Sequence, residues 1–264
     1  MNPLLLAAQM QERGQACALC TVVRASGSVP RHEGSRMLVA PNGALLAGTV
    51  GGGEMEKRIV DKAVEAIRDG RPRMETFTLV NPREGDPGVC GGSVDVFIES
   101  LAPAPILLVI GAGHVGRALA HLGKWAGFSV IVADDRTELC NAEQCPGADK
   151  YLAGNFAAML DEHVLTKRTY AALVTRSYAQ DVRVLPLLLT AEMPYIGVMG
   201  SRRRWLSATQ ELQTAGISVE SIAAVHAPIG LELQAETPEE IAISIMAQIV
   251  AQRRGGDGRS MSPL

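Results

Sequence analysis

Four stretches hold residues whose types and spacing could do chemistry. In Thr49-Val-Gly-Gly-Gly-Glu-Met-Glu56, three consecutive glycines separate an apolar strand pattern from a helix pattern that opens with Glu54 and Glu56. So bare a backbone allows close approach. The amides of Gly51, Gly52 and Gly53, beside the partial positive charge of a helix start, form a concavity suited to an anionic oxygen. The same residues also fit a tight turn whose first-turn acids suit the helix dipole. Two more glycine-centred stretches in the same half, Gly27-Ser28-Val-Pro30-Arg31 running on to Gly34 and Cys90-Gly91-Gly92, lend weight to the ligand reading.

Cys90 is the cysteine with a glycine setting. A thiol flanked by bare amides can be held as thiolate, which a soft metal or a sulfur transfer requires, so Cys90 is the candidate metal contact. A cysteine buried at the start of a strand is the alternative. The third stretch is Gly111-Ala-Gly113-His114-Val-Gly116, which follows an apolar strand and opens a helix, with Asp134 ending the next strand about twenty residues on. That context marks a Rossmann half-domain. Asp134 could hold the ribose hydroxyls of a nucleotide, and Asp135 and Arg136 beside it could equally form a surface ion pair. Fourth, Gly200-Ser201-Arg202-Arg203-Arg204 joins a strand to a helix and sets three arginines in its first turn. Cations there oppose the macrodipole, and a bound anion such as phosphate would resolve the conflict; otherwise the arginines extend into solvent. His32 and His114 lie in glycine-rich turns that a ligand could reach.

The elements that must position these groups read in two blocks. Residues 3–13 have apolar positions at helical spacing, and a strand pattern runs to Val23. Residues 24–34 read as a loop, and Arg36–Ala40 and Ala44–Ala47 flank Asn42-Gly43, a hairpin signal. Met55 to Ile67 reads as a helix closed by Gly70, and strands are expected at Phe77–Leu79 and Val94–Ile98, with residues 81–88 as a loop between them. Leu101-Ala-Pro-Ala-Pro105 is the linker, so domains are expected at 1–102 and 106–252, with a disordered tail over 253–264. Beyond the linker, strands at 106–110, 129–133, 170–175 and 195–199 alternate with helices at 115–126 and 202–215. A last helix follows Thr237-Pro-Glu-Glu240, a capping box. The fold class is therefore α/β: a smaller mixed-sheet α/β domain, then a Rossmann-like parallel-sheet domain.

Composition bounds the function classes. The chain has 264 residues, 47% hydrophobic and 20% charged, an ordinary globular balance that sets disorder aside. A formal charge of −3 gives no basic footprint for nucleic acid. With no apolar run of membrane length and no signal-peptide pattern, a cytoplasmic protein is expected. Five cysteines argue against a disulfide framework, and Cys17 and Cys20 read as part of a buried strand rather than a metal or redox pair.

Taken together, these motifs resemble the XdhC/CoxI family, accessory proteins of molybdenum hydroxylases such as xanthine dehydrogenase. The likeness rests on Gly27–Arg31, Gly34-x-x-Met37, Gly48–Glu56, Cys90–Gly92, the Rossmann turn, Asp134–Arg136, Tyr195–Arg203, Pro228–Leu231 and Thr237–Ile241, in that order over nearly the whole chain. The resemblance implies a chaperone that binds molybdenum cofactor (molybdopterin), supports its sulfurated form and inserts it into a xanthine dehydrogenase-type hydroxylase. It also implies a homodimer, and a cysteine desulfurase as a second partner. The glycine-rich amides would take the pterin and its phosphate, and Cys90 would lie near the molybdenum or its sulfur. The chain departs from the family's common pattern at Tyr178, where histidine is usual, at Gln234, where glycine is frequent, and at Met55, where many relatives have cysteine. Two other readings stand beside this one: an NAD(P)-dependent oxidoreductase, and a nucleotide-sensing interaction module. On the chaperone reading, the amino-terminal glycine loops and the Rossmann crevice are expected to share the ligand.

Overall fold

The computed structural model describes residues 1–80, 87, 88 and 90–262. The chain divides into two compact units, Met1–Pro103 and Ala104–Leu264.

The first unit is an antiparallel sheet with a helix on each face. Its strands are β1 (Cys17–Ser26), β2 (Arg36–Val39), β3 (Leu45–Gly48), β4 (Arg73–Thr78) and β5 (Ser93–Leu101), in the order β3-β2-β1-β5-β4. Every pairing is antiparallel, which corrects the expected mixed sheet. Connectivity sets two of the pairings, since the direct connections from β1 to β2 and from β2 to β3 join antiparallel neighbours, and the one helical crossover, α2 (Gly53–Asp69), carries the chain to the far edge. Period-two alternation splits β1 between two cores. Ala18, Cys20 and Val22 pack with Met55, Ile59, Ala63 and Ala66 of α2, whereas Cys17 and Leu19 pack with Ala7 of α1 (Pro3–Glu12). Cys17 and Cys20 thus face opposite sides of the sheet and cannot share a ligand. The Asn42-Gly43 turn forms as expected, Gly43 taking φ +82°. The loop expected at 81–88 lies outside the described residues over 81–86.

The second unit is a parallel sheet of β6 (Ile106–Ile110), β7 (Ser129–Asp134), β8 (Lys150–Ala153), β9 (Thr169–Leu173) and β10 (Tyr195–Val198), ordered β10-β9-β6-β7-β8. This is the doubly wound order, with its switch point between β6 and β9. β6 and β9 are buried at every residue, as a sheet covered on both faces requires. Helices α3 (His114–Trp125) and α8 (Pro238–Arg254) pack together, and Leu119 of α3 joins Ala242, Ile245 and Ile249 of α8 in one core. A second core holds Val184, Leu185 and Leu188 of α5 (Tyr178–Leu189) and Leu212 of α6 (Arg202–Thr214), together with Phe156 of the short α4 (Phe156–Met159) and Ile222 of α7 (Val219–Ala223). The capping box at Thr237 and Glu240 forms. The tail expectation is corrected at its start: α8 continues to Arg254, whose neighbour Arg253 sits 5.4 Å over the Phe128 ring, and ends at the left-handed Gly255. No helix among the described residues is long and apolar enough to cross a membrane.

Candidate functional site

Antiparallel connectivity dictates where the glycine stretches of the first unit must lie. The end of β1, the start of β2, the end of β3, the end of β4, the start of β5 and the start of α2 share one end of the sheet. Gly27–Gly34, Gly51–Gly53 and Cys90–Gly92 therefore converge. A Cβ on Gly27 would sit 2.9 Å from Gly92 Cα, one on Gly92 2.5 Å from the Ser28 carbonyl, and one on Gly51 2.7 Å from Pro30 Cγ. The Gly27–Pro30 segment is thus wedged between the other two, and Ser26 and Ser93 share a hydroxyl–hydroxyl bond of 2.9 Å at its base. Gly27 and Gly92 are glycines because backbone passes where a side chain would stand. Cys90, Ser28, Arg31, His32, Gly53, Glu54 and Gly91 are exposed around this end, and the space over Gly52, Gly53 and Gly91 is open.

The amides of Gly51, Gly52 and Gly91 are already bonded within the fold, which narrows the expected anion cradle. Glu56 reaches back from the first turn of α2, and its Oε2 accepts from Thr49 Oγ1 at 2.5 Å and from the amides of Val50 and Gly52 at 3.2 Å each. Gly51 donates to Thr49 Oγ1 at 3.2 Å, and Gly91 to the Leu79 carbonyl at 2.7 Å. The helix start has recruited its own carboxylate, since Gly52 at the N-cap offers no side chain to do it. Glu54, by contrast, points outward to Arg58 at 3.4 Å. Cys90 is the exposed thiol; Cys17, Cys20, Cys140 and Cys145 are buried, and burial pushes Cys20 up to about 12 and Cys145 to about 11.

In the second unit the fingerprint glycines perform the packing tasks of their motif. A Cβ on Gly111 would lie 2.6 Å from the Val174 carbonyl, and one on Gly116 would overlap the Gly111 carbonyl at 1.8 Å, whereas Gly113 faces open space. Asp134, 3% exposed, is fully engaged within the fold. Its Oδ2 accepts from the Ala112 amide at 2.6 Å and from Arg136 Nη2 at 2.8 Å, and its Oδ1 accepts from the Arg136 amide at 2.9 Å and Nε at 3.0 Å. Burial alone would raise this carboxyl, but the bonds from Arg136 and Ala112 outweigh it and hold it near 2. The ion pair foreseen between Asp135 and Arg136 is instead Asp134 with Arg136, while Asp135 bonds Gln180 at 2.8 Å and Arg176 at 3.2 Å. His114 opens α3 and lines a groove with Arg117, His121 and Glu239 along α3 and α8. His226 stacks on the Tyr195 ring at 4.7 Å, and burial lowers its basicity.

The arginine turn divides. Arg204 folds back over Gly200, where a Cβ would stand 2.7 Å from its Cδ, and meets Asp181 Oδ2 at 2.5 Å and Thr175 Oγ1 at 2.9 Å. Asp181, 1% exposed, also accepts from Thr175 Oγ1 at 2.5 Å; burial pushes its carboxyl upward against these bonds. Sequence reasoning missed this buried triad, because α5, which carries Asp181, shows a weak pattern interrupted by Pro186. Ser201 caps α6 as expected, accepting from the Arg204 amide at 3.2 Å. Arg202 and Arg203 are exposed and make no ion pair among the described residues.

A doubly wound parallel sheet carrying a glycine fingerprint, preceded by an antiparallel unit with a glycine-lined thiol, defines a Rossmann-type protein with an appended α/β unit. The profile of the XdhC Rossmann domain matches residues 107–249 and that of the XdhC and CoxI family matches residues 10–78. The chain belongs to the XdhC/CoxI family. It is 34% identical over 265 residues to Uncharacterized protein YqeB of Escherichia coli, covering 99% of this chain and 48% of that one. It is 33% identical to a probable xanthine dehydrogenase subunit of Bacillus subtilis, over 61% of this chain and 47% of that one. The chain thus spans about half the length of these relatives. It is 24% identical to the Molybdenum cofactor insertion chaperone PaoD of Escherichia coli, over 91% of this chain and 84% of that one. A crystal structure described as a xanthine dehydrogenase from Bacillus halodurans shares the fold, with TM-score 0.53 and 21% identity over 100% of this chain and 98% of that one.

Proposed function

We propose that the protein is an accessory chaperone that binds molybdenum cofactor, shields it and its sulfurated form, and hands it to a xanthine dehydrogenase-type hydroxylase. The observation that carries this reading is the convergence of Gly27–Arg31, Gly51–Gly53 and an exposed Cys90 at one end of the first unit's sheet. Family membership and the named function of the PaoD relative support it. The residues fit the group in chemistry: Cys90 supplies a soft donor for molybdenum or its sulfur, the open space over Gly52, Gly53 and Gly91 admits a flat ring, and Arg31 and Ser28 supply polar contacts at the rim. When bound, the group supplies the redox chemistry of the client enzyme. The protein's own residues hold and orient it. Glu56 holds the Gly51–Gly53 turn in shape, so the fit does not depend on free amides there.

A nucleotide role for the Rossmann crevice has less support, because Asp134, the acid that would hold ribose, already makes four bonds to Ala112 and Arg136. A cysteine desulfurase and a second copy of the chain are further partners on the chaperone reading. The test is anaerobic ultrafiltration of molybdenum cofactor with wild-type protein and Cys90→Ala, with NAD and NADP as comparison ligands. Retention by wild type and loss by the variant supports both the chaperone and the thiol. Retention by both keeps the chaperone and removes Cys90 from the site. Tight NAD or NADP binding without cofactor retention overturns the reading.

A further inference from the structure

A cleft in the second unit, at the carboxyl ends of β9 and β10, is lined by three arginines and four hydroxyl groups and by no carboxylate among the described residues. Arg176, Ser177 and Tyr178 supply one wall, and Arg203 with Ser207 of α6 and Ser201 at its N-cap supplies the other. Arg204 forms the inner wall, and its charge is answered by Asp181 at 2.5 Å. Arg176 shares Asp135 at 3.2 Å. Arg203 has no carboxylate partner among the described residues, which leaves one uncompensated guanidinium facing a cleft of about 440 Å³. The Ser177 hydroxyl lies at the N-cap of α5 yet makes no capping bond, so it too is available to a ligand. The cleft lies at the carboxyl end of the parallel sheet, the end at which ligands sit, one strand away from the switch point between β6 and β9.

We propose that this cleft binds a phosphate monoester. Two guanidinium forks can each give paired N–H bonds to phosphoryl oxygens, and the Ser177 and Tyr178 hydroxyls can donate to the remaining ones. A dianion suits the site better than a singly charged diester, because the excess positive charge and the starts of α5 and α6 border the same cleft. The volume leaves space for the organic part beyond the phosphoryl group. The site does not depend on the cofactor reading, and either can fail while the other stands.

Calorimetric titration of the full chain at fixed ionic strength tests it, with phenyl phosphate, inorganic phosphate and dimethyl phosphate as probes. Phenyl phosphate is expected to bind at least tenfold more tightly than dimethyl phosphate, and at least as tightly as inorganic phosphate. Arg203→Gln should weaken phenyl phosphate binding tenfold or more. Arg202→Gln, which removes the same charge from the same turn outside the cleft, should change it less than threefold. Equal losses in the two variants would reduce the effect to general electrostatics and overturn the site, as would equal affinity for phenyl and dimethyl phosphate, tighter binding of inorganic phosphate, or no binding at all. Should Arg203→Gln fail to fold, Ser177→Ala decides: a loss of at least threefold supports the cleft, and unchanged affinity overturns it.

Discussion

Glu56 shows how one side chain can take over a role assigned to a ligand. Its single oxygen Oε2 gathers a hydroxyl and two amides of the glycine turn, so its removal strands those donors at a part-buried position. Glu56→Ala should cost about 2 kcal/mol, the penalty for unmet hydrogen-bonding groups, read as a lower urea midpoint at unchanged slope. Gln234 is the opposite case. It holds φ +54°, the sole positive φ at a non-glycine among the described residues. A left-handed backbone costs a side-chain-bearing residue about 1–2 kcal/mol, partly offset by the greater chain entropy of glycine when unfolded. Gln234→Gly is therefore expected to stabilise the protein by up to about 1 kcal/mol in the same assay. The family resemblance implies a glycine at this place, and the positive φ supplies a physical reason for one.

At the scale of elements, two carboxylates tie helices and turns to the parallel sheet. Asp181 on α5 joins Thr175 after β9 to Arg204 on α6, inside the fold. Arg204→Ala leaves that carboxylate buried without its cation, and a loss of about 3–5 kcal/mol is expected in chemical denaturation. Asp134 binds the fingerprint turn to the end of β7, with a folded pKa near 2 against an ordinary value of 3.8. A lowered acid contributes stability that is fully present above about pH 4 and is lost as pH falls toward 2. The shift corresponds to about 2 kcal/mol. Asp134→Asn should therefore flatten the stability profile between pH 4 and pH 2, which urea titrations across that range would show; an unchanged slope would remove Asp134 from the acid response.

For the whole molecule, the distribution of thiols gives a direct measurement. One of five cysteines is exposed. A thiol reagent should label one site rapidly in native protein and five after denaturation, and Cys90→Ala should abolish the fast phase. Rapid labelling of a second thiol would show that a core strand opens. The strands of the parallel sheet were legible because β6 and β7 are unbroken apolar runs followed by punctuating glycine or acid. Edge strand β8, four residues of mixed polarity, and α5, interrupted by Pro186, carry no such signal and were invisible.

The sequence by itself determined the elements that local physics controls: the Asn42-Gly43 hairpin, the Thr237 capping box, the fingerprint turn between β6 and α3, and the family to which the chain belongs. Periodicity and glycine placement act over a few residues, so they can be read without a fold. Only the tertiary structure decided which polar groups remain available. Antiparallel connectivity gathered three distant glycine stretches at one end of a sheet, while Glu56 took the Gly52 amide and Thr49 the Gly51 amide. Asp134 turned inward to Ala112 and Arg136, and among three adjacent arginines Arg204 was folded back onto Asp181 while Arg203 was left facing the cleft. The partner of a charge depends on which strands the sheet sets side by side, and that ordering is not written in any local window of the chain.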